Sequence, residues 1–444
     1  MGMSPRQHQW DEGKRRRAEV ARSAHGSWRP AEGRPDPVSL LQAQNRSRVA
    51  SLVPVRMGRM LETPFSFMRG AALIMAADLA PTPTTGFEVQ LCGDAHVANF
   101  GVFASPERNL LFDVNDFDET DTGAWEWDVK RLAASAVVAA RVAGHRVADQ
   151  RGAARSAARR YRQEMATFAR LAVLDVWYSR LDAEALARSL AVPAVRHEVD
   201  SARRQGSKGV LPEHTALAPD GSRRIVDHPP LVTHDDDDTS EHLAEIMAVY
   251  RRSLDDDRRQ LLGRFDVVDS ARKVVGVGSV GTRCSIALLV SDLGDPLLLQ
   301  VKEAEASVLA QLRHPVRSRR HQGRRVVTGQ RLMQAASDIF LGWSSAGGVD
   351  YYIRQLRDMK ASIDLADLGP TAMAEYAAMC GWALARAHAR TGPAPAIAGY
   401  LGSGAVFDKA IERFAVSYAD QTERDHEALH KAVSRGQVAV ERGI

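Results

Sequence analysis

Residues 275–302 read VGVGSVGTRCSIALLVSDLGDPLLLQVK, and far earlier in the chain residues 93–119 read GDAHVANFGVFASPERNLLFDVNDFDE. In the first of these, Gly276, Gly278 and Gly281 spell GxGxxG. Glycines carry no Cβ, so their backbone N–H groups can approach a phosphate closely. Dinucleotide-binding folds use the same spelling, but there a helix follows the glycines. Here the next run is TRCSIALLV, a strand-type sequence, so the dinucleotide reading loses. Residues 266–302 are predicted as three β-type runs joined by the glycine loop and by an SDLGDP turn, the last run ending in Lys302. A plain hairpin with a glycine-rich turn and an exposed lysine would share this spelling.

The second stretch is framed by two short strand patterns. FEVQLC at 87–92 alternates and leads into Gly93, and NLLFDV at 109–114 leads into Asn115 and Asp116. Asp94, His96 and Asn99 follow the first pattern. Asp113, Asp116, Asp118 and Glu119 cluster at the end of the second. Carboxylates gathered after an apolar strand suit a hard divalent cation. An Asp-rich surface loop or a calcium site would look similar. His96 reads as shaping its loop, not as moving a proton. Metallophosphoesterases also use GDxH, but no GNHD-type run is present to supply their remaining ligands.

Strand, glycine loop, strand, turn and lysine-tipped strand resemble the small lobe of protein kinases, where the lysine contacts the α/β-phosphates of ATP. GDAHVAN resembles the GDxHxxN catalytic loop of aminoglycoside-type phosphotransferases. The resemblance implies that Asp94 orients and deprotonates an acceptor hydroxyl and that Asn99 holds Mg2+. In those enzymes the metal-binding Asp opens a DFD or DFE motif, which makes Asp116 the first choice and Asp113 the second. A D-L-A run then follows near the start of a helix. Asp128 in WDVKRLA stands at the matching offset from Asp116 and is expected to brace the catalytic loop. The acid that should pair with Lys302 is not evident. Glu303 and Glu305 stand almost too close to it, and the sequence beyond is basic.

The order is inverted relative to ordinary kinases, whose glycine loop comes first. A wider set of segments carries a second resemblance: RGAA at 69–72, GDAHVANFG, FDVNDFDE, WDVKRLAAS, VGVGSVGTRC, LQVKEA, GQRLMQAASDIFLGW, YYIRQLRDMK, CGWALARAHA and YADQ. Together they resemble an uncharacterised bacterial family, domain-of-unknown-function family 2252, across residues of about 45 to 425. The family brings no activity with it. YAAMCGWALARAHART at 376–391 is similar to the helix that precedes the catalytic loop in aminoglycoside-type kinases, yet no catalytic loop follows it. A kinase cut between that helix and its loop, with the old ends joined through the 135–265 helices, gives the observed order. Permutation is tolerated where old termini lie close and new ones fall in exposed loops. DIFLGW and DYYIRQL would then be further small-lobe strands. Ile353–Leu356, Gln355 among them, would be the hinge beside the adenine.

The expected fold class is therefore α+β: a circularly permuted, two-lobed, protein-kinase-like fold with a mainly helical large lobe. Residues 1–36 read as a mobile basic arm, and 37–132 as the catalytic and metal-loop segment. Residues 133–265 are read as helical, 266–365 as the small β-rich lobe, and 366–444 as C-terminal helices of the large lobe. Within these, helices are expected near 240–262 and 303–312, with a basic loop at 313–331. Arg69, in PFSFMRG, suits bidentate phosphate or carboxylate binding, or packing on the neighbouring aromatics. Arg357, Asp358 and Lys360 follow the hinge and are candidates for the acceptor site. The acidic run Asp235–Asp238 reads as a solvated loop.

Bulk properties narrow the class. The chain has 444 residues, 45% hydrophobic and 26% charged, enough for a large core. A net charge of +4 is small for this length, so nucleic acid is not the expected partner. Cys92, Cys284 and Cys380 form no CxxC and predict neither a disulfide framework nor a zinc site. No apolar run could span a bilayer and the N-terminus lacks a signal-type core, so a cytoplasmic protein is expected. The expected ligands are ATP with Mg2+ and an unidentified acceptor, with oligomeric state open. A nucleotide-binding regulatory protein without catalysis, or an enzyme transferring AMP, are the alternatives.

Overall fold

A computed structural model describes residues 3–189, 199–200, 202–203, 211, 213–234, 242–274, 276–310, 320–356 and 363–443. The run Asp235–Asp238, the group Arg357, Asp358 and Lys360, and residues 313–319 of the basic stretch lie outside these. The protein is a mixed α/β structure, mainly helical with small antiparallel sheets.

Four short strands carry the first motif region: β1 (Glu88–Leu91), β2 (Phe100–Ala104), β3 (Leu110–Val114) and β4 (Asp121–Ala124). β1 pairs with β4, and β2 with β3, both antiparallel. The segment 133–265, expected as helical, also carries β5 (Thr215–Leu217), β6 (Arg223–Ile225) and β7 (Val232–Thr233). Then follow β8 (Phe265–Lys273), β9 (Cys284–Ser291), β10 (Pro296–Glu303), β11 (Gly342–Ala346) and β12 (Val349–Gln355). Six of these form one sheet in the order β11-β12-β10-β9-β8-β7. β9 and β10 are central, which explains their unbroken apolar runs: a strand covered on both faces has no need of polar alternation. Lys302, near the end of β10, sits between Cys284 of β9 and Tyr352 of β12.

One side of the sheet buries Leu289, Leu299, Val301 and Ile353 against Ile246 and Tyr250 of the Leu243–Ser253 helix. The main core lies among the helices Trp125–Val142, Val147–Phe168, Pro370–Thr391 and Val406–Ser434. Their alanines allow close approach. A Cβ on Gly381 would stand 2.4 Å from the Ala157 carbonyl oxygen, so these two helix backbones nearly touch there. All three cysteines are buried and free. No described helix is long and apolar enough to cross a membrane.

Three local expectations change. Residues 3–36, expected as a mobile arm, carry the helix Pro5–Glu19, capped by Ser4 and packed on the helix Ala394–Leu401. Arg17 donates to the Tyr400 carbonyl at 2.9 Å, and Arg34 clamps Asp78 and Asp425. The cationic residues have internal partners, which holds the segment down. The stretch at 313–331, expected as a loop, contains the start of a helix, Gln322–Met333. His321 caps it, and its Val326, Val327 and Met333 are buried. The helix expected near 303–312 is absent from 303–310, where β10 ends and an irregular turn follows.

Candidate active site

The loop Gly93–Asn99 leaves β1 under tight constraint. Gly93 has φ +82°, and a Cβ there would lie 2.0 Å from the Glu119 carbonyl oxygen, so only glycine fits where the two acidic loops cross. Asp128, in the first turn of the Trp125–Val142 helix, accepts from the Cys92 N–H at 2.7 Å and the Gly93 N–H at 3.0 Å. It therefore braces the loop from below. One turn further along the same helix, Arg131 donates Nε to Asp94 Oδ1 at 2.7 Å and Nη2 to the Met68 carbonyl at 2.8 Å. His96 Nε2 stands 3.6 Å from the other Asp94 oxygen. Burial, against the attraction of Asp94, pushes His96 down to a pKa of about 4, so it is neutral at pH 7.

Asn99 joins the two loops. Its side-chain amide donates to the Asp94 carbonyl at 3.0 Å and to the Asp116 carbonyl at 3.1 Å, and its own carbonyl accepts the Asn115 N–H at 2.9 Å. Asp116 keeps a side chain about 40% exposed toward the cavity. Its Oδ1 accepts the Phe117 N–H at 2.9 Å, and its Oδ2 is 3.9 Å from Lys302 Nζ. Asp113 is placed elsewhere. It is 1% exposed, off the cavity, paired with Arg386 at 2.7 Å and accepting the Ala335 N–H at 2.9 Å.

Lys302 is 2% exposed and finds its acid in Asp118, which also accepts from Ser279 Oγ at 3.0 Å and the Tyr352 hydroxyl at 2.7 Å. Burial disfavours the ammonium, but Asp116 and Asp118 outweigh it and hold the Lys302 pKa well above the ordinary lysine value. Glu303 instead pairs with Arg283 at 3.3 Å. The glycine loop closes over this pair as a short 3-10 turn, Val277–Ser279, with Gly281 at φ +89°. Arg48 holds the loop from outside through the Val280 and Gly278 carbonyls. Beneath it, Glu119 accepts the Val308 N–H at 2.7 Å. Burial pushes its carboxyl up to about 7 against the pull of that N–H and of Arg325.

Asp94, His96, Asn99, Asp116, Asp118, Arg69, Gly276, Gly278, Lys302 and Gln355 line one cavity of about 860 Å³. Gln300, Arg354 and Gln334 also line it. Gly281 shapes the loop without lining the cavity, and Asp113 and Asp128 support it from behind. Reasoning from the sequence missed Asp118 as the partner of Lys302, and missed Arg131 and Arg354. Arg131 had a signal: it follows Asp128 by one helical turn, so the two share a face. Asp118 had one in the second acid of DFDE. Arg354 had none, since its role depends on the β10–β12 register.

The Pro370–Thr391 helix runs alongside these loops. Tyr376 donates to the Val97 and Phe100 carbonyls at 2.9 and 3.0 Å, and His388 Nε2 lies 3.3 Å from Asp128. Thr391, its last residue, accepts the Gln90 N–H at 3.1 Å, and a Cβ on Gly392 would be 3.1 Å from the Glu88 carbonyl. The end of this helix thus abuts the start of β1.

No group of three or more His, Cys, Asp or Glu among the described residues forms a self-contained metal cage. Mg2+ commonly needs only one or two carboxylates beside substrate phosphates. The hard oxygens of Asp116 and Asn99 fit that pattern, with the Asn99 amide nitrogen already committed to two carbonyls. Searches of curated proteins and of solved structures find no match to this chain. A family model does match, over residues 48–432, and the chain belongs to that family, described as uncharacterized protein conserved in bacteria (DUF2252).

Proposed function

We propose that the protein is an ATP- and magnesium-dependent phosphotransferase with a circularly permuted, two-lobed kinase-like fold, acting on a hydroxyl acceptor. One observation carries this: Lys302, beneath the glycine loop, lies 3.9 Å from Asp116 in the same cavity as Asp94, although these residues are far apart in the chain. The abutment of Thr391 and Gly392 on β1 supports the permutation, because an unpermuted chain would run from that helix into β1 and its loop. The short β2–β3 hairpin then stands between the catalytic and metal loops, and β12 leads into the hinge.

In this reading Lys302 and the glycine-loop amides hold the triphosphate, and Gln355 borders the adenine. Asp116 and Asn99 would hold Mg2+, which would supply neutralisation of the phosphate charge. Asp94, pinned through one oxygen by Arg131, presents the other to the acceptor hydroxyl and takes its proton. Neutral His96 adds no competing positive charge there. Asp118 keeps Lys302 in place, as the helix-borne acid does in ordinary kinases.

Calorimetric titration with ATP and Mg2+ tests the reading. The wild type should bind, and Lys302→Ala and Asp116→Ala should each weaken binding at least tenfold. A wild type that does not bind, or two variants that bind as it does, would sink the proposal. Phosphate release or labelled-product formation that is lost in Asp94→Asn would exclude a regulatory nucleotide-binding protein without catalysis, whereas a wild type that binds nucleotide and forms neither product would point to one. Products carrying AMP, detected by mass spectrometry, would redirect the reading to nucleotidyl transfer.

A further inference from the structure

Arg69 stands in the last turn of the helix Pro64–Gly70, which Thr63 caps by accepting the Ser66 N–H at 3.0 Å. It reaches the cavity between the glycine loop and Asp94. A Cβ on Gly276 would be 3.8 Å from its Nη2, and one on Gly278 would be 3.2 Å from its main-chain carbonyl. Three other cations of the site are committed: Lys302 to Asp118, Arg131 to Asp94, and Arg354 to the Gln300 side chain at 3.0 Å. Among the described residues no carboxylate pairs with Arg69, and its buried Nε has no hydrogen-bond partner. Burial outweighs the attraction of Asp94, Glu62 and Asp116, which make no direct ion pair with it. A largely enclosed guanidinium that cannot shed its proton is thus left without a contacting anion, which is costly. The backbone that carries it is nonetheless fixed. Fully buried Arg56 donates to the Gly70 carbonyl at 2.8 Å, and Arg48 fixes the facing glycine loop.

We propose that Arg69 is a catalytic residue that binds the γ-phosphoryl group of ATP and stabilises it during transfer. This rests on the phosphotransferase reading and assigns within it the group that faces the transferring phosphate. As the acceptor oxygen bonds to the γ-phosphorus, the bond from that phosphorus to the bridging oxygen breaks. Its electron pair leaves on ADP, and the acceptor proton passes to Asp94. In that transition state charge is spread over the three equatorial oxygens, and a preorganised guanidinium aimed at them acts there without reorganising. The segment that supplies it, residues 37–79, lies outside the two motif regions, so the arginine is delivered by a neighbouring part of the same chain.

Separate calorimetric titrations with Mg·ATP and Mg·ADP test this, on the wild type, Arg69→Ala, Arg69→Lys and Lys302→Ala, together with phosphate release from ATP. Arg69→Ala should weaken Mg·ATP by roughly tenfold or more, leave Mg·ADP within about twofold, and lower phosphate release by about 10² to 10³. Arg69→Lys should recover part of the ATP affinity and little of the rate, since a point charge replaces the planar fork. Lys302→Ala should weaken both nucleotides. The Arg69 proposal is overturned if Arg69→Ala and Arg69→Lys change ATP and ADP binding equally, or change neither. Unchanged ADP binding also serves as the folding control. A wild type that binds neither nucleotide removes the underlying reading and this proposal together. A wild type that binds both, with Lys302→Ala impaired and Arg69→Ala normal, removes this proposal alone.

Discussion

Replacing Asp128 with alanine should destabilise the protein by about 4 kcal/mol. The carboxylate is 1% exposed and accepts two backbone N–H groups, from Cys92 and Gly93, one on each oxygen. Without it those donors are buried and unsatisfied, at about 1–3 kcal/mol each. The first turn of the Trp125–Val142 helix also loses an anion worth about 0.3–1 kcal/mol near the helix N-terminus. Relief from desolvating the carboxylate offsets part of the sum. Asp128→Asn should cost less, about 2 kcal/mol, since its oxygen still accepts one N–H while its amide faces the other. Urea unfolding, followed by the shift in midpoint at constant slope, gives both numbers. Native-state hydrogen exchange should show faster exchange at the Cys92 and Gly93 amides in both variants. A loss below about 1 kcal/mol in Asp128→Ala, with those amides still protected, would refute the bracing argument.

Two further substitutions probe other parts of the molecule. Gly93→Ala places a Cβ 2.0 Å from the Glu119 carbonyl in a left-handed backbone, so the acidic loops must separate by more than about 1 Å. Phosphate release should fall by about 10²-fold, because misplacement of that size costs as much in positioned catalysis; a rate within threefold of wild type would contradict the crossing. His25 is buried, bonds to the Tyr400 hydroxyl at 2.7 Å, and is pushed down to a pKa of about 3 by burial, with Lys130 adding to the effect. The unfolded chain takes up that proton near pH 6.5 while the native one does not, so stability is lost as pH falls from about 6.5 toward 3. His25 should account for about 2–3 kcal/mol of the loss between pH 7 and 4.5, beside a share from His96, and His25→Gln should reduce the loss by that amount. Parallel urea titrations at the two pH values would show the same loss of stability in both proteins if the histidine is not responsible.

The parts of the fold written in local pattern were the legible ones. The apolar runs of β9 and β10, the alternation in FEVQLC and the long periodic helices at 370–391 and 406–434 are readable from the spacing of apolar residues alone. So are the loops that carry Asp94 and Asp116. What failed depended on partners distant in sequence. The first residues looked like a mobile arm because Arg17 and Arg34 look solvated until the Tyr400 carbonyl, Asp78 and Asp425 are beside them. The helix Gln322–Met333 was hidden by its arginines, although Arg325 is satisfied by the carbonyls of Asp118 and Glu305. Spacing ranked Asp116 above Asp113 through the DFDE motif and the offset to Asp128, but gave Asp113 no separate place. Only the position of Arg386 shows which of them is neutralised inside the protein and which faces the cavity.

The pair between Asp113 and Arg386 also sets a clock on biosynthesis. The two residues are 273 positions apart and both are almost wholly buried. At roughly 5–20 residues per second, about 14 to 55 seconds separate their emergence from the ribosome. Until then the strand that carries Asp113 cannot enter a dry core without leaving an unneutralised charge. The β2–β3 hairpin must therefore wait, wet and unfinished, for the chain's far end to close over it.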